Sequence, residues 1–467
     1  MDDVESFGKH PLMNHVVDTS YDDLPVEAVD ATKQHILHTI GAALGGSDRP
    51  GCKMVVDLAE DWGGKAESSI LVYGGKAPAL NAALANGTMA HALDFCMNDD
   101  RTDYKSSVTA IPAALALAEE RRASGKDFLA AVCLGIELGV RIALAVNPRP
   151  AHALSPVIGC FASAAAAGKI LELDLDQMLD ALGIAYCQVC PSGIGISSPS
   201  LTKRLTAGLA SKSGVFSARL AEKGFKGNRG LMRGNHGYFL AYHGEEGDMG
   251  RLTANIGREY EMVHIGPKGY PCCRGMHASI DAALDLVREY DVKPDDIEQI
   301  TVCESERNPL IKYAKGDPDL WERNCHPRGE VDAQFSLPWG VATALVRRKV
   351  FIEDFIEEAL TNRRVRALAE RVRIEIDPQL SQVETMSTPS VVKIKTGSGQ
   401  VFSRRVDFAR GNPRNPVSMT ETIENFERCA THAALPLSKS KVEEAMEMIS
   451  HLEAVNDMSE LPGLLTA

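Results

Sequence analysis

The sequence lacks a surplus of basic residues. Fifty Lys and Arg stand against 63 Asp and Glu, a net charge of -13 over 467 residues. That balance argues against a nucleic acid or an anionic membrane surface as the main partner, yet leaves room for a locally basic site that takes a small anion. An apolar leader is missing too. The opening MDDVESFGKH is acidic and carries no hydrophobic segment, so we expect no signal peptide and a cytoplasmic protein. No long run is free of charge: the most apolar stretch, Phe128 to Val146, contains Glu137 and Arg141 and reads as a buried helix. Nucleotide-binding signatures are absent, with no Walker loop and no GxGxxG after a strand, so a nucleotide cofactor has no support, and there is no Gly-x-Ser-x-Gly elbow for a serine nucleophile. The 11 cysteines are odd in number and scattered, as expected of reduced thiols. Cys187-Gln-Val-Cys190 has redox spacing, but no βαβ pattern surrounds it and no second pair completes a zinc set. Both are expected as buried thiols within a helix.

What is present is a soluble globular composition, 44% apolar and 24% charged, and enough length for two or three domains. Residues 1–266 read as almost entirely helical. Val26, Val29, Ile36, Leu37, Ile40 and Leu44 follow a 3.6-residue period, with Pro25 suited to the first turn and Gly45 to the stop. Further helices are expected near Ala79–Phe95, Ile111–Ser124, Asp127–Val146 and Ser155–Leu171, packed closely through Ala and Gly. Within residues 267–411 the texture changes. IEQITVCES, RVRIEIDP, SVVKIKTG and QVFSRRVDF alternate or run β-branched, with GSG as a hairpin turn between the last two. Helices are expected among them at Met276–Tyr290 and Asp332–Arg347. This is an α+β domain with an antiparallel sheet. Residues 412–467 return to helices. The expected fold is therefore mainly α: a helical domain built from both chain ends, with an inserted α+β domain that acts as a lid.

The densest chemistry lies in Lys268-Gly-Tyr-Pro-Cys-Cys-Arg-Gly-Met-His277, a loop running into a helix. Such a junction can meet an anion through the free N–H groups of the first helical turn. A second cluster is His91-Ala-Leu-Asp94-Phe-Cys-Met-Asn98-Asp-Asp100 followed by Tyr104-Lys105-Ser106-Ser107. At spacing i, i+3, His91 and Asp94 share a helix face. They are either a histidine held by an acid at a helix end or an acid–base pair under a polar loop. Asp94, Asn98, Asp99 and Asp100 offer oxygen ligands, but their spacing fits no EF-hand and no His-x-x-x-His pair is nearby, so we expect no metal. His152 in PRPAHALSP is a turn histidine. Thr202, Lys203 and Arg204 can hold carboxylates, arginine in bidentate fashion and lysine as a point charge. A substrate between these groups and Lys268, Tyr270, Cys273, Arg274 and His277 implies proton abstraction beside a carboxylate.

Seven stretches resemble the MmgE/PrpD family in order: NGTMAHALDF, IPAALALAE, ASAAAAGKILELD with ALGIA, TKRLTAGLASKSGVFSARLAEKGFKG, KGYPCCRGMHASIDA, DAQFSLPW and NPVSMTETIENF. The resemblance implies a homodimer and a lyase without metal or organic cofactor, acting on a small di- or tricarboxylate. It makes Asp94, His152, Lys203 and Lys268 the catalytic candidates. His152 would transfer the proton with Asp94 as partner, while the two lysines bind substrate carboxylates and developing charge. His91, Asn98, Lys105, Ser107, Thr202, Arg204, Tyr270, Cys273, Arg274 and His277 are the substrate-binding candidates. The chain also departs from the family pattern. Tyr104-Lys105-Ser106-Ser107 replaces Gly-His-Pro-Ser, Asn98 stands near a usual Thr, Arg233 lies in a usual Leu-Glu-Gly segment, and Trp339 replaces a common tyrosine. The added cations Lys105 and Arg233 suggest a more anionic substrate. Three other readings stand beside the lyase: an epimerase of a similar polycarboxylate, an inactive homologue that binds a metabolite or partner, and a racemase using Cys272 and Cys273. The last ranks low, because adjacent residues in an extended run point apart.

Overall fold

The computed structural model describes residues 11–146, 154–189, 200–244, 247–314, 322, 324–383 and 388–467. The chain opens with α1 (Pro11–Asp18), α2 (Val26–Gly46), α3 (Cys52–Trp62), α4 (Ala79–Ala92), α5 (Ser107–Arg121), α6 (Gly125–Ala145), α7 (Leu154–Ile170), α8 (Leu175–Tyr186) and α9 (Thr202–Glu222). Local signals fix several of these ends. Asp174 accepts from the Gln177 amide while Gln177 reaches back to Asp174, a reciprocal cap that starts α8. Ser124 caps α6 in the simpler way.

Small residues decide how the helices meet. A Cβ on Gly208 of α9 would stand 2.3 Å from the Leu84 carbonyl oxygen of α4, and one on Gly87 would stand 2.7 Å from Ser211 Oγ. The two backbones therefore touch, and they run antiparallel, with Lys203 at the start of α9 beside the end of α4. Helix α6 is long and apolar enough to cross a membrane by length and composition, but 94% of that stretch is buried inside the protein. Its Glu137 and Arg141 pair at 2.6 Å. Glu137 accepts from the amides of Glu261 and Met262, and Arg141 donates to the carbonyls of Leu252, Ala254 and Glu259. A buried pair survives because every charge is met.

Two small ladders come first: β1 (Ser68–Ser69) with β2 (Lys76–Ala77), and β3 (Met97–Asn98) with β4 (Gly266–Pro267). Beyond β4 come α10 (His277–Tyr290), β5 (Ile297–Glu304), α11 (Leu337–Arg347), α12 (Arg363–Ala369), β6 (Val372–Ile376), β7 (Ser390–Thr396) and β8 (Val401–Val406). The sheet order is β6-β5-β7-β8. The expected GSG hairpin closes β7 onto β8, with Gly399 at φ +89. The sheet is not purely antiparallel, because β6 runs parallel to β5. Helices α11 and α12 lie between those two strands and carry the chain back to the same end, as a parallel pairing requires. The expected helix over Asp332–Arg347 is also two pieces. Ser336 breaks it by accepting from the Trp339 amide, which restarts the chain as α11.

The last helices, α13 (Met419–Ala430) and α14 (Lys439–Ser450), share one hydrophobic cluster with residues between Leu12 and Ile265. A separate cluster runs from Cys272 to Ile394. A third joins the two regions through Ala42, Leu93, Phe95, Phe351, Ile352 and Cys429. The chain passes into and out of the sheet region side by side: a Cβ on Gly266 would overlap the Gly411 carbonyl at 1.8 Å, and Gly411 itself sits at φ +92.

Candidate active site

Helix α4 ends at Ala92, and two residues later Asp94 turns into the left-handed region at φ +52. Aspartate tolerates that conformation better than most side chains. The turn takes Asp94 off the helix face it was expected to share with His91. Its buried carboxylate is clamped between two ammonium groups instead: Lys203 Nζ lies 2.6 Å from Oδ1, and Lys268 Nζ lies 2.6 Å from Oδ2. The antiparallel contact of α4 with α9 supplies Lys203. The β3–β4 ladder supplies Lys268, whose amide donates to the Cys96 carbonyl at 3.2 Å.

Both lysines are pinned further. Lys268 donates to the carbonyls of Asp94 (2.7 Å) and Cys272 (2.9 Å). Lys203 donates to the His91 carbonyl and stands 5.5 Å from the centre of the Phe335 ring. Burial alone would raise the Asp94 carboxyl, but the charges of Lys203 and Lys268 outweigh it and hold the group well below the usual carboxylate range. Burial also lowers Lys203 from the ordinary lysine value, against the pull of Asp94. The centre is thus an ionised carboxylate beside a lysine whose proton is loosened, a pairing suited to proton transfer.

Around this centre the remaining candidates fall into distinct places. His91 is buried, burial holds it well below the ordinary histidine value, and its Nδ1 lies 3.2 Å from Cys96 Sγ. His91, Asp94 and Cys96 offer ligand atoms within 4.8 Å of one another. A cation there would face two ammonium groups already on Asp94, and burial pushes the Cys96 thiol up to about 11, so this set does not favour a metal. Asn98 and Arg274 meet on Asp100: Arg274 binds it in bidentate fashion at 2.6 and 2.8 Å, Asn98 donates at 3.0 Å and Asn412 at 2.7 Å. His277 accepts at Nδ1 from Arg274 and donates from Nε2 to the Cys272 carbonyl, which fits the neutral ring that burial enforces. Tyr270 donates to Asp281 at 2.5 Å. These contacts build the floor that carries Lys268.

Lys105 lies close enough for the Asp94 charge to act on it. Ser107 starts α5, and its buried hydroxyl has no partner among the described residues. Thr202 is exposed and bonds Ser200. Arg204 faces away from the carboxylate, donating to Glu330 at 2.9 Å and to the Pro50 carbonyl at 2.8 Å. Cys272 and Cys273 are buried, and burial raises both thiols, Cys273 to about 11. Neither is an activated nucleophile. Cys187 is exposed just past the end of α8 rather than buried within it, and Cys190 lies outside the described residues, as does His152. Arg233 is exposed, and Trp339 is core, its indole donating to the Asp354 carbonyl.

Sequence reasoning did not single out Gln334, Phe335 or Glu330. Gln334 donates to the Ala92 carbonyl, accepts from the Cys273 amide and keeps a buried oxygen without a partner. Glu330 receives both Arg204 and Arg49, tying the segment after β5 to the helical part. The signal available was the DAQFSLPW stretch, which contains Gln334 and Phe335.

Comparison with known proteins matches the MmgE/PrpD N-terminal domain over residues 11–248 and the MmgE/PrpD C-terminal domain over residues 270–452. The chain is 25% identical to cis-aconitate decarboxylase-like protein oryM of Aspergillus oryzae, covering 97% of this chain and 96% of that one. It is 25% identical to cis-aconitate decarboxylase of Aspergillus terreus (95% and 93% covered) and 28% identical to the Homo sapiens enzyme of that name (94% and 90%). The chain belongs to the MmgE/PrpD family and is an enzyme of the lyase kind.

Proposed function

We propose that this enzyme removes a small molecule, carbon dioxide or water, from a di- or tricarboxylate, by proton transfer beside a carboxylate and with no organic cofactor or metal. The observation that carries this reading is the Lys203–Asp94–Lys268 clamp, with both ammonium groups 2.6 Å from one buried carboxylate. When a proton moves at the carbon next to a carboxylate, negative charge spreads onto the carboxylate oxygens. Two fixed ammonium groups in a dry site stabilise that charge without reorganisation. Asp94 keeps both lysines in place while the site is empty and returns the proton balance as Lys203 gives up or regains its proton. In decarboxylation the C–C bond to the departing carbon dioxide breaks, its electron pair stays with the remaining substrate, and a carbon there takes up a proton. In dehydration the carbon loses a proton and hydroxide leaves with another. Either course needs one donor of moderate acidity, for which Lys203 is suited, and His152 is the second candidate by resemblance. The names of the relatives support the carboxy-lyase course.

The test is to incubate the protein in D₂O with a panel of di- and tricarboxylates that includes cis-aconitate, and to follow the NMR spectrum. New vinyl signals with loss of a carboxylate are expected. Exchange of substrate protons without net product would replace this reading with an epimerase, and silence across the panel would overturn it. Lys203→Met and Lys268→Met should each lower turnover by at least about a hundredfold, the scale of losing one charge-stabilising donor.

A further inference from the structure

We propose that Glu304 is a positioning residue for the reaction: kept as the neutral acid, it fixes the turn from Arg274 to Met276 and, through that turn, the ammonium group of Lys268. That role rests on the clamp as the reacting centre, and so on the lyase reading, and it adds the support that holds one of the two lysines.

Glu304 ends β5 and is fully buried, as are Ser279, Asn308 and Ser390 around it. None of the three carries a charge, and a carboxylate among neutral partners alone is costly in a dry site. The hydrogens decide which form the network holds. Three oxygen–oxygen links form a row: Glu304 Oε1 to Ser279 Oγ at 2.6 Å, Ser279 Oγ to Ser390 Oγ at 3.0 Å, and Ser390 Oγ to the Cys303 carbonyl at 3.3 Å. Each link needs one hydrogen, and each serine hydroxyl supplies one. Asn308 adds none, because its amide hydrogens go to Glu304 Oε2 and to the Gly275 carbonyl, both at 2.8 Å. An ionised Glu304 therefore leaves one close pair of oxygens with no hydrogen between them. The neutral acid completes the row: Glu304 donates to Ser279, Ser279 to Ser390, and Ser390 to the carbonyl. Burial acts in the same direction and pushes Glu304 up to about 7.

Among the described residues, the charges on the neighbouring elements are engaged elsewhere. In the turn and on α10, Arg274 binds Asp100, His277 binds the Cys272 carbonyl, and Asp281 receives Tyr270 and the Arg410 amide. On and beside β6 and β7, Glu375, Asp377 and Lys393 act on Cys303, whose side chain leaves the strand on the face opposite to Glu304. In the loop after β5, Glu306 and Arg307 are exposed.

The two partners of Glu304 grip the turn from both sides. Asn308 holds the Gly275 carbonyl, and the fit is close: a Cβ on Gly275 would stand 2.6 Å from Asn308 Oδ1. Ser279 lies in the first turn of α10. Between them, His277 Nε2 donates to the Cys272 carbonyl at 3.3 Å, the same oxygen that receives Lys268 Nζ at 2.9 Å. Loss of the Glu304 proton loosens this support at its base, so what Glu304 controls is where Lys268 stands.

The experiment measures kcat and KM from pH 6 to pH 9, with the carboxylate that the D₂O panel shows to be turned over, and circular dichroism at each pH confirms an intact fold. Unaltered enzyme is compared with Glu304→Gln, Asn308→Ala and Ser279→Ala. Glutamine mimics the neutral acid, with an amide hydrogen for Ser279 and an oxygen for Asn308. In the unaltered enzyme kcat should fall as pH rises through about 7, with KM moving less. Glu304→Gln should keep its kcat at pH 6 and hold it to higher pH. Asn308→Ala should lower kcat by about tenfold to a hundredfold across the range, the upper figure being the cost of misplacing a reacting group by about 1 Å. Superimposed pH profiles of Glu304→Gln and the unaltered enzyme would overturn the proposal, and so would native kcat in both Asn308→Ala and Ser279→Ala. Infrared spectroscopy reads the proton without turnover: the carbonyl band of a neutral carboxylic acid should be present at pH 6, lost at pH 8.5 and missing from Glu304→Gln. Its absence from the unaltered enzyme at pH 6 would also overturn the proposal. Were no carboxylate turned over, the lyase reading would fall and the positioning role with it, while the band would still decide where the proton lies.

Discussion

Asp94 shows what a single residue settles. Replacing it with asparagine keeps the shape and deletes the charge, leaving Lys203 and Lys268 buried without their shared counter-ion. Breaking a buried ion pair from one side is strongly destabilising. Asp94→Asn should therefore lower the unfolding free energy by about 3–5 kcal/mol, read from urea denaturation. Adding Lys203→Met to it should recover part of that loss, because one stranded charge then disappears. A loss below about 1 kcal/mol, the range of an exposed pair, would show that water reaches the clamp. The identities of Asp94, Lys203 and Lys268 were legible as charged residues in informative stretches. The partner of His91 was not. Spacing i, i+3 assumes a helix that continues, and this one stops at Ala92 and then turns left-handed, so Asp94 stays within 4.8 Å of the histidine but gives its oxygens to the two lysines, and Cys96 makes the hydrogen bond to His91 Nδ1.

At the scale of an element, the end of β5 carries an acid that no local sequence signal marks. Glu304 is fully buried and bonded to Ser279 Oγ (2.6 Å) and Asn308 Nδ2 (2.8 Å). Asn308 also donates to the Gly275 carbonyl, within the turn that holds Arg274. Burial pushes Glu304 up to about 7. The folded state thus keeps a proton that the unfolded state releases near the ordinary value of about 4.5. Between those two pH values folding binds the extra proton, so stability falls as pH rises through the window. The fall attributable to Glu304 should approach about 3 kcal/mol, seen as a lower urea midpoint at pH 7.5 than at pH 5. Glu304→Gln should flatten that slope, and an equal slope in the variant would exclude Glu304 as its source. The strands themselves were legible from alternation. The parallel pairing of β6 with β5 was not, because register and direction are set by the crossover and by packing, not by the pattern within a strand.

On the scale of the whole molecule, the two ends of the chain complete one core. Lys33 of α2 reaches the Ser450 carbonyl and Glu453. Phe426 of α13 lies so close to α2 that a Cβ on Gly41 would stand 3.1 Å from its Cα. Phe426→Ala should cost about 3–5 kcal/mol, measured by chemical denaturation. A cost under about 1 kcal/mol would mean that the C-terminal helices add little to the core. The sequence alone determined the elements: helices from apolar period and caps, strands from alternation, and the residue types that carry charge and chemistry. It did so because those signals are local, reaching only a few residues along the chain. The tertiary structure decided which of these signals meet. Close approach at Gly87 and Gly208 brings Lys203 to the end of α4, and the β3–β4 ladder brings Lys268 to the same carboxylate. Contacts of that kind join residues more than a hundred positions apart, and they are fixed by packing and by the energetic need of a buried carboxylate for its counter-charges.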